Sequence, residues 1–137
     1  MVTVKQTTIK NTRQLLEANK ATGTVMTLGN ILAITAGLAV DADSGTVKAD
    51  LLGVCNQTIS AADALLRVIY IVPSDEDTFL FATTNNTDVT DNGEQMVLTN
   101  AAEVNNTHTT DAAGIVVQVE PYGESSDKLI IGKFVTL

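Results

Sequence analysis

The chain of 137 residues is 45% hydrophobic, 18% charged and 4% aromatic, and its net charge is −8. This length fits one compact domain with a substantial core, and the apolar content excludes a wholly disordered chain. The acidic balance argues against nucleic-acid binding, which needs a basic face, and no apolar run is long enough to span a membrane. A single cysteine, Cys55, excludes an internal disulfide, so we expect a chain made in a reducing cytoplasm.

Threonine, with 20 residues, and valine, with 15, are frequent in the composition. Both are branched at Cβ, which restricts their side chains in a helix and favours extended chain. Asparagine and glycine supply turns between short apolar segments. The predicted fold class is therefore all-β, a small β-barrel or sandwich, with an extended N-terminal arm over residues 1–20 and a body over residues 21–137.

The N-terminal arm is basic, whereas the rest of the chain is acidic. Residues 1–20 hold four basic side chains and one acidic side chain, a net charge of +3, so the other 117 residues carry −11. Two interpretations stay open: a polar terminus that frays in solvent, or an arm that docks on an acidic partner. Asn11 and Thr12 also suit the cap of a short helix through residues 15–17. The candidate docking residues are two alternating valines and four basic residues: Val2, Val4, Lys5, Lys10, Arg13 and Lys20.

Short apolar strands separated by turns follow from residue 24. Residues 41–45 read as a hairpin turn, because they lack the ligand spacing of a calcium loop. Gly53 indicates a β-bulge or a close approach of two backbones. The apolar segments of this first half are residues 25–28, 31–34, 38–40 and 47–55.

Residues 65–72 form the clearest predicted strand. Their continuous apolar run favours burial on both faces, and Pro73 ends the strand because proline cannot donate to a central ladder. Phe79 and Phe81 then occupy alternate positions, which places both rings on one face of the next strand.

The last part of the chain is predicted to end in a β-hairpin. Residues 85–93 form a polar loop, and residues 100–114 form either a long loop or an edge strand. Apolar segments at 115–119 and 128–134 flank a turn-rich connection, which is typical of a closing hairpin.

Candidate chemical residues are few. Asp75, Glu76 and Asp77 directly follow a strand and are expected in an exposed loop, although a buried carboxylate pair would suit acid–base chemistry. The same acids would also suit contact with the basic arm of a neighbouring subunit. His108 is the only histidine and lies near no nucleophile motif. We therefore predict no catalytic site, no metal site and no cofactor.

The order of several motifs resembles the head decoration, or cement, proteins of tailed bacteriophages. The first motifs are GTVMTLGNIL at 23–32 and RVIYIVP at 67–73, and DNGE at 91–94 and IIGKF at 130–134 follow. The resemblance covers roughly residues 20–137. It implies a non-enzymatic protein that sits as a homotrimer, or another oligomer, on the outer surface of the virion capsid. There it would fasten major capsid protein subunits together. The alternative is another viral structural β-module, such as a tail, fibre-base or adhesion domain.

Overall fold

The computed structural model describes residues 14–74, 76–108 and 114–135, with backbone alone for residues 106–108. Ten β-strands and three 3₁₀ turns, but no α-helix, occur in these ranges, so the all-β prediction is confirmed. The first five strands are β1 (Gln14–Asn19), β2 (Ile31–Thr35), β3 (Leu38–Asp41), β4 (Leu51–Cys55) and β5 (Arg67–Val72). The other five are β6 (Phe79–Thr83), β7 (Gln95–Asn100), β8 (Glu103–His108), β9 (Val116–Pro121) and β10 (Leu129–Phe134).

The first five strands form an antiparallel sheet in the order β1-β5-β4-β2-β3. Strand β1 pairs with β5 over its whole length, from Gln14 opposite Val72 to Asn19 opposite Arg67. The predicted short helix through residues 15–17 is therefore wrong. A helix of two turns is marginal in water, whereas pairing with β5 satisfies the same backbone groups in the sheet.

The pairing of β1 also changes where the body begins. Residues 14–19 belong to the sheet of the body, and the N–H of Lys20 donates to the Leu66 carbonyl at 2.9 Å. The expected boundary between arm and body, after residue 20, assigns strand β1 to the arm, whereas β1 is part of the sheet of the body. An arm separate from the body is confined to residues 1–13, which lie outside the described residues.

The last five strands close into a barrel in the order β10-β6-β8-β7-β9. Neighbouring strands are antiparallel except β6 and β8, which run parallel with Ala82 opposite Glu103. Strand β8 falls in the segment predicted as a long loop or an edge strand, and it is instead paired on both sides. The predicted closing hairpin is confirmed as β9 and β10.

The main core lies inside the barrel and extends to one face of the sheet. Phe134 packs edge-on against Phe79 and Phe81, with ring centroids 5.4 and 5.5 Å apart, which confirms that the two alternating rings lie on one face of β6; both rings are buried. Ile31 of the sheet belongs to the same buried cluster. Its N–H donates to the Ala101 carbonyl at the β7–β8 turn at 2.8 Å, so the sheet and the barrel share one core.

A second core fills the other face of the sheet. A single β-bridge between Met26 and Ile59 covers it, and Val68 and Tyr70 point into it from β5. Cys55 is buried here. Its Sγ donates to the Gln57 carbonyl at 3.1 Å, and burial raises the pKa of the thiol, so the thiolate that reacts is disfavoured.

Candidate interaction surface on strands β1 and β5

The acidic tripeptide is not an exposed loop throughout. Asp77 is only 1% exposed, and its carboxylate accepts the Ser74 N–H at 3.0 Å, which closes the turn after β5. The expectation of an exposed loop is therefore wrong at Asp77, because this carboxylate is buried in the turn. Contact of the acidic residues with a neighbour's arm stays a prediction. Glu76 is exposed, and Asp75 lies outside the described residues.

Lys20 is the one candidate arm residue that the structure describes, and it is buried. Its side chain is only 2% exposed, and its Nζ donates to the Ala21 carbonyl at 3.0 Å. The structure therefore holds the Lys20 ammonium inside the body, and its role in docking stays a prediction. The other five candidates lie outside the described residues: Val2, Val4, Lys5, Lys10 and Arg13.

The acidic turn after β3 is not the predicted hairpin turn, because the strands that it connects, β3 and β4, both pair with β2 and not with each other. Side-chain hydrogen bonds hold it. Asp43 accepts the Gly45 N–H at 2.8 Å, and Asp41 accepts the Asn30 side-chain amide at 3.2 Å. Burial raises the pKa of Asp41, and the Asn30 amide partly offsets that shift. Within the described ranges, no three histidine, cysteine or acidic side chains are grouped to hold a metal ion. His108 contributes its backbone to β8.

An exposed apolar surface lies where β1 and β5 pair. Four leucines on these strands and the segment just before β5 are between 44% and 58% exposed. We call this the β1–β5 surface and define it by Leu15, Leu16, Leu65, Leu66, Glu17 and Arg67. A groove of about 500 Å³ runs along it, lined by Leu65, Leu66, Arg67, Ile69 and their neighbours. Leu65 and Leu66 line this groove, whereas Leu15 and Leu16 lie further along β1 and point to opposite faces of the sheet. Exposed apolar side chains beside a groove favour an interaction site.

Two charges frame the groove. The Arg67 Nε lies 3.0 Å from a Glu17 carboxylate oxygen, and the Arg67 Nη1 donates to Asn19 at 3.3 Å. Both charged side chains are more than half exposed, so the pair contributes little to stability, roughly 0.2–1 kcal/mol. The Glu17–Arg67 pair places one negative and one positive charge beside exposed leucines.

Sequence reasoning missed this surface because the run 65–72 looks uniformly buried. The strand begins only at Arg67, and its faces divide between the two cores, with Val68 and Tyr70 on one side and Ile71 on the other. Leu65 and Leu66 precede the strand, so the predicted burial of the whole run is wrong at its start. The sequence feature that indicated exposure of Leu65 and Leu66 was the charged residue Arg67 directly after them.

Comparisons with known proteins assign no family to this chain. No protein-family model matches it, and no curated protein matches its sequence. In the part of the chain that the structure describes, no helix is long and apolar enough to cross a membrane.

Proposed function

We propose that this chain is a non-enzymatic decoration, or cement, protein of an icosahedral bacteriophage head. It binds the outer surface of the shell as a homotrimer and stabilises contacts between major capsid protein subunits. The observation that carries the proposal is the β1–β5 surface, in which four exposed leucines are presented by a rigid all-β body. The motif order that resembles decoration proteins supports the same assignment.

The physical requirements of a cement protein match this body. Such a protein binds several subunits at once, so individually weak contacts act together through high effective concentration. Strands fix Leu15, Leu16 and Arg67 before any partner arrives, which lowers the entropy cost of binding. The groove beside Leu65 and Leu66 suits an apolar anchor from the shell.

Co-sedimentation with phage heads that lack this chain tests the proposal. The wild-type chain is expected to sediment with the heads, and L65S/L66S is expected to bind about tenfold more weakly, since roughly 1.4 kcal/mol corresponds to tenfold. Both side chains are exposed, so the melting temperature should stay unchanged. V89S is the matched control, because Val89 is also exposed but lies in a turn before the barrel strand β7.

Each outcome bears on a different part of the proposal. Full binding by L65S/L66S together with weak binding by V89S would move the contact to the barrel. Absence of wild-type binding would overturn the function itself. Electron cryomicroscopy of complete particles then locates the chain, and density in the tail would favour the alternative viral β-module.

A further inference from the structure

We propose that Asn92 is a site of spontaneous deamidation, and that buried Gln118 holds it in an unreactive conformation. Asn92 and Gly93 are exposed and lie between the 3₁₀ turn Val89–Asp91 and strand β7. This Asn-Gly pair occurs once in the sequence. Asparagine followed by glycine closes readily into a succinimide, because glycine has no Cβ to obstruct the approach of its backbone nitrogen. The inference goes beyond shell binding, since the modification needs only water.

The first step is the reaction itself. Solvent base takes the proton of the Gly93 backbone N–H, and the nitrogen attacks Cγ of the Asn92 side chain. A bond forms between that nitrogen and Cγ, the bond between Cγ and Nδ2 breaks, and Nδ2 takes a proton from water and leaves as ammonia. Water then opens the ring. Attack of water at Cγ gives aspartate, and attack at the main-chain carbonyl carbon gives isoaspartate.

The second step is to locate the attacking nitrogen in the folded chain. The Gly93 N–H donates to the main-chain carbonyl of Gln118 at 2.9 Å. The ψ of Asn92 is 132°, which is extended backbone. Ring closure requires a ψ that brings the Gly93 nitrogen to the same side as the Asn92 Cβ, so the backbone must rotate and this hydrogen bond must break. The fold therefore turns the attacking nitrogen away from Cγ.

The third step is to locate the side chain that carries Cγ. Asn92 Oδ1 accepts a hydrogen bond from Gln118 Nε2 at 3.0 Å, and the same Nε2 donates to the Asp88 carbonyl at 2.8 Å. Gln118 is only 1% exposed, so packing fixes the position of its amide. Gln118 thus restrains both reacting groups: its main-chain carbonyl holds the Gly93 nitrogen, and its side chain holds the Asn92 amide.

The hydrogen bond to Asn92 Oδ1 has a second effect of opposite sign. A donor on this oxygen polarises the carbonyl, which by itself favours attack at Cγ. Polarisation accelerates the reaction only when the Gly93 nitrogen is within reach of Cγ, and the extended backbone prevents this. The conformational restraint therefore outweighs the polarisation. Removal of the donor decides between the two effects, because they predict opposite changes in rate.

Peptide mapping by mass spectrometry tests the proposal on the full chain, kept at mildly alkaline pH in its folded state and in urea. We expect Asn92 of the folded wild type to deamidate at least about tenfold more slowly than in urea. The folded Q118M variant should deamidate about tenfold faster than the folded wild type, and equally fast in urea. A tenfold change corresponds to roughly 1.4 kcal/mol, the scale of one or two hydrogen bonds.

The Q118M variant is expected to fold. Gln118 Oε1 is buried and has no hydrogen-bond partner among the described residues, so the amide is paired at its donor end only. Methionine has a similar unbranched shape, removes the unpaired oxygen and cannot donate to Asn92 or Asp88. I130V is the matched control for stability, because Ile130 is fully buried in the main core and its substitution leaves Gln118 in place. Its rate at Asn92 should stay close to that of the wild type.

G93A tests the route of the reaction. Nothing lies within 4 Å of the position that a Cβ at Gly93 would take, so the folded chain has space for the methyl group, although the φ of +83° disfavours it. The methyl group obstructs ring closure, and deamidation of Asn92 should therefore fall strongly even in urea. Unchanged deamidation in G93A would overturn the succinimide route.

The remaining outcomes concern the role of Gln118. Equal rates for Asn92 in the folded and the unfolded wild type would overturn the protection. A slower rate in Q118M would show that the donor assists the attack, and an equal acceleration in I130V would assign the effect to lost stability; each result overturns the role of Gln118. None of these measurements uses phage heads, so failure here differs from failure of the proposed function.

Discussion

Gly53 lies on β4 where this strand comes very close to β5, and the absence of a side chain allows that approach. A Cβ at this position would lie 2.0 Å from the Ile71 carbonyl oxygen, and the backbone φ of +155° is rare for residues with a side chain. The obstructing atom belongs to the backbone, so no side-chain rotation relieves the overlap. We expect Gly53→Ala to lower the free energy of unfolding by about 3 kcal/mol or more, as measured by urea denaturation.

Gly37 provides the matched control. Its φ of +80° disfavours a side chain, but nothing lies within 4 Å of the position that a Cβ would take. Gly37→Ala should therefore lose only roughly 1–2 kcal/mol, the cost of a left-handed backbone. Equal losses at the two positions would show that backbone conformation, and not the approach of β5, requires glycine at position 53.

Asp41 gives the molecule a pH dependence with a defined sign. Asp41 is exposed overall, but partial desolvation of its carboxyl raises the pKa in the folded state above the ordinary value of 3.8, so the ionised carboxylate costs some stability at neutral pH. We expect Asp41→Asn to raise the free energy of unfolding at pH 7. This gain should shrink as the pH falls through the raised pKa and vanish below the ordinary one. Urea denaturation between pH 3 and pH 8 measures it.

Removing any acid from an acidic protein relieves general repulsion, so the control must remove an equal charge. Glu120→Gln does so at an exposed position of β9 and should give a smaller gain. If the two variants gain equally at neutral pH, net charge accounts for the effect and the local desolvation of Asp41 does not.

Burial of single charged residues was the part of the site that the sequence could not predict. Lys20 and Asp77 stand in polar surroundings in the sequence, yet both are buried in the folded chain. The closeness of Gly53 to its neighbour was predictable, since a glycine inside a strand has few other uses. Local pattern thus identifies a backbone constraint, whereas side-chain burial depends on which segments pack nearby.

The composition of the sequence predicts that the chain forms strands, but it does not predict which strands pair with each other. Strands β5, β6, β9 and β10 lie close to the predicted segments, because apolar alternation and Pro73 mark them locally. The sequence does not predict β1 as a strand, and it leaves β8 as either a long loop or an edge strand. Both segments are polar and form strands because they pair with partners distant in the chain. Tertiary pairing overrides weak local preference in both cases.

The position of β1 predicts how truncation affects the body. A chain that begins at Gln14 keeps all six pairs between β1 and β5, whereas one that begins at Ala21 loses them and uncovers Val68 and Tyr70. We expect the second truncation to be at least ~3 kcal/mol less stable than the first, a fall of about 10 °C in melting temperature. Calorimetry of the two truncated chains checks this. Similar melting temperatures would mean that β1 is an arm and not a strand of the body.

The barrel and the sheet are structurally distinct but share their principal core. Phe79 of the barrel and Ile31 of the sheet belong to one buried cluster, and the hydrogen bond between Ile31 and Ala101 joins the two parts. One face of the sheet is buried only because it packs against the barrel. Unfolding of the barrel would therefore expose that face to water. The two parts should therefore unfold as one cooperative unit.

Native-state hydrogen exchange tests this cooperativity. The slowest amides of β4 and β5 should report the same opening free energy as those of β9 and β10, within ~1 kcal/mol. Phe79→Ala should lower both values together by roughly 3–5 kcal/mol, because the cavity lies in the core that both parts share. L66S is the control, since Leu66 is exposed and its loss should leave both values unchanged. If Phe79→Ala lowers only the barrel value, the sheet is stable without the barrel, and the second core must then be sufficient to hold β1–β5 together.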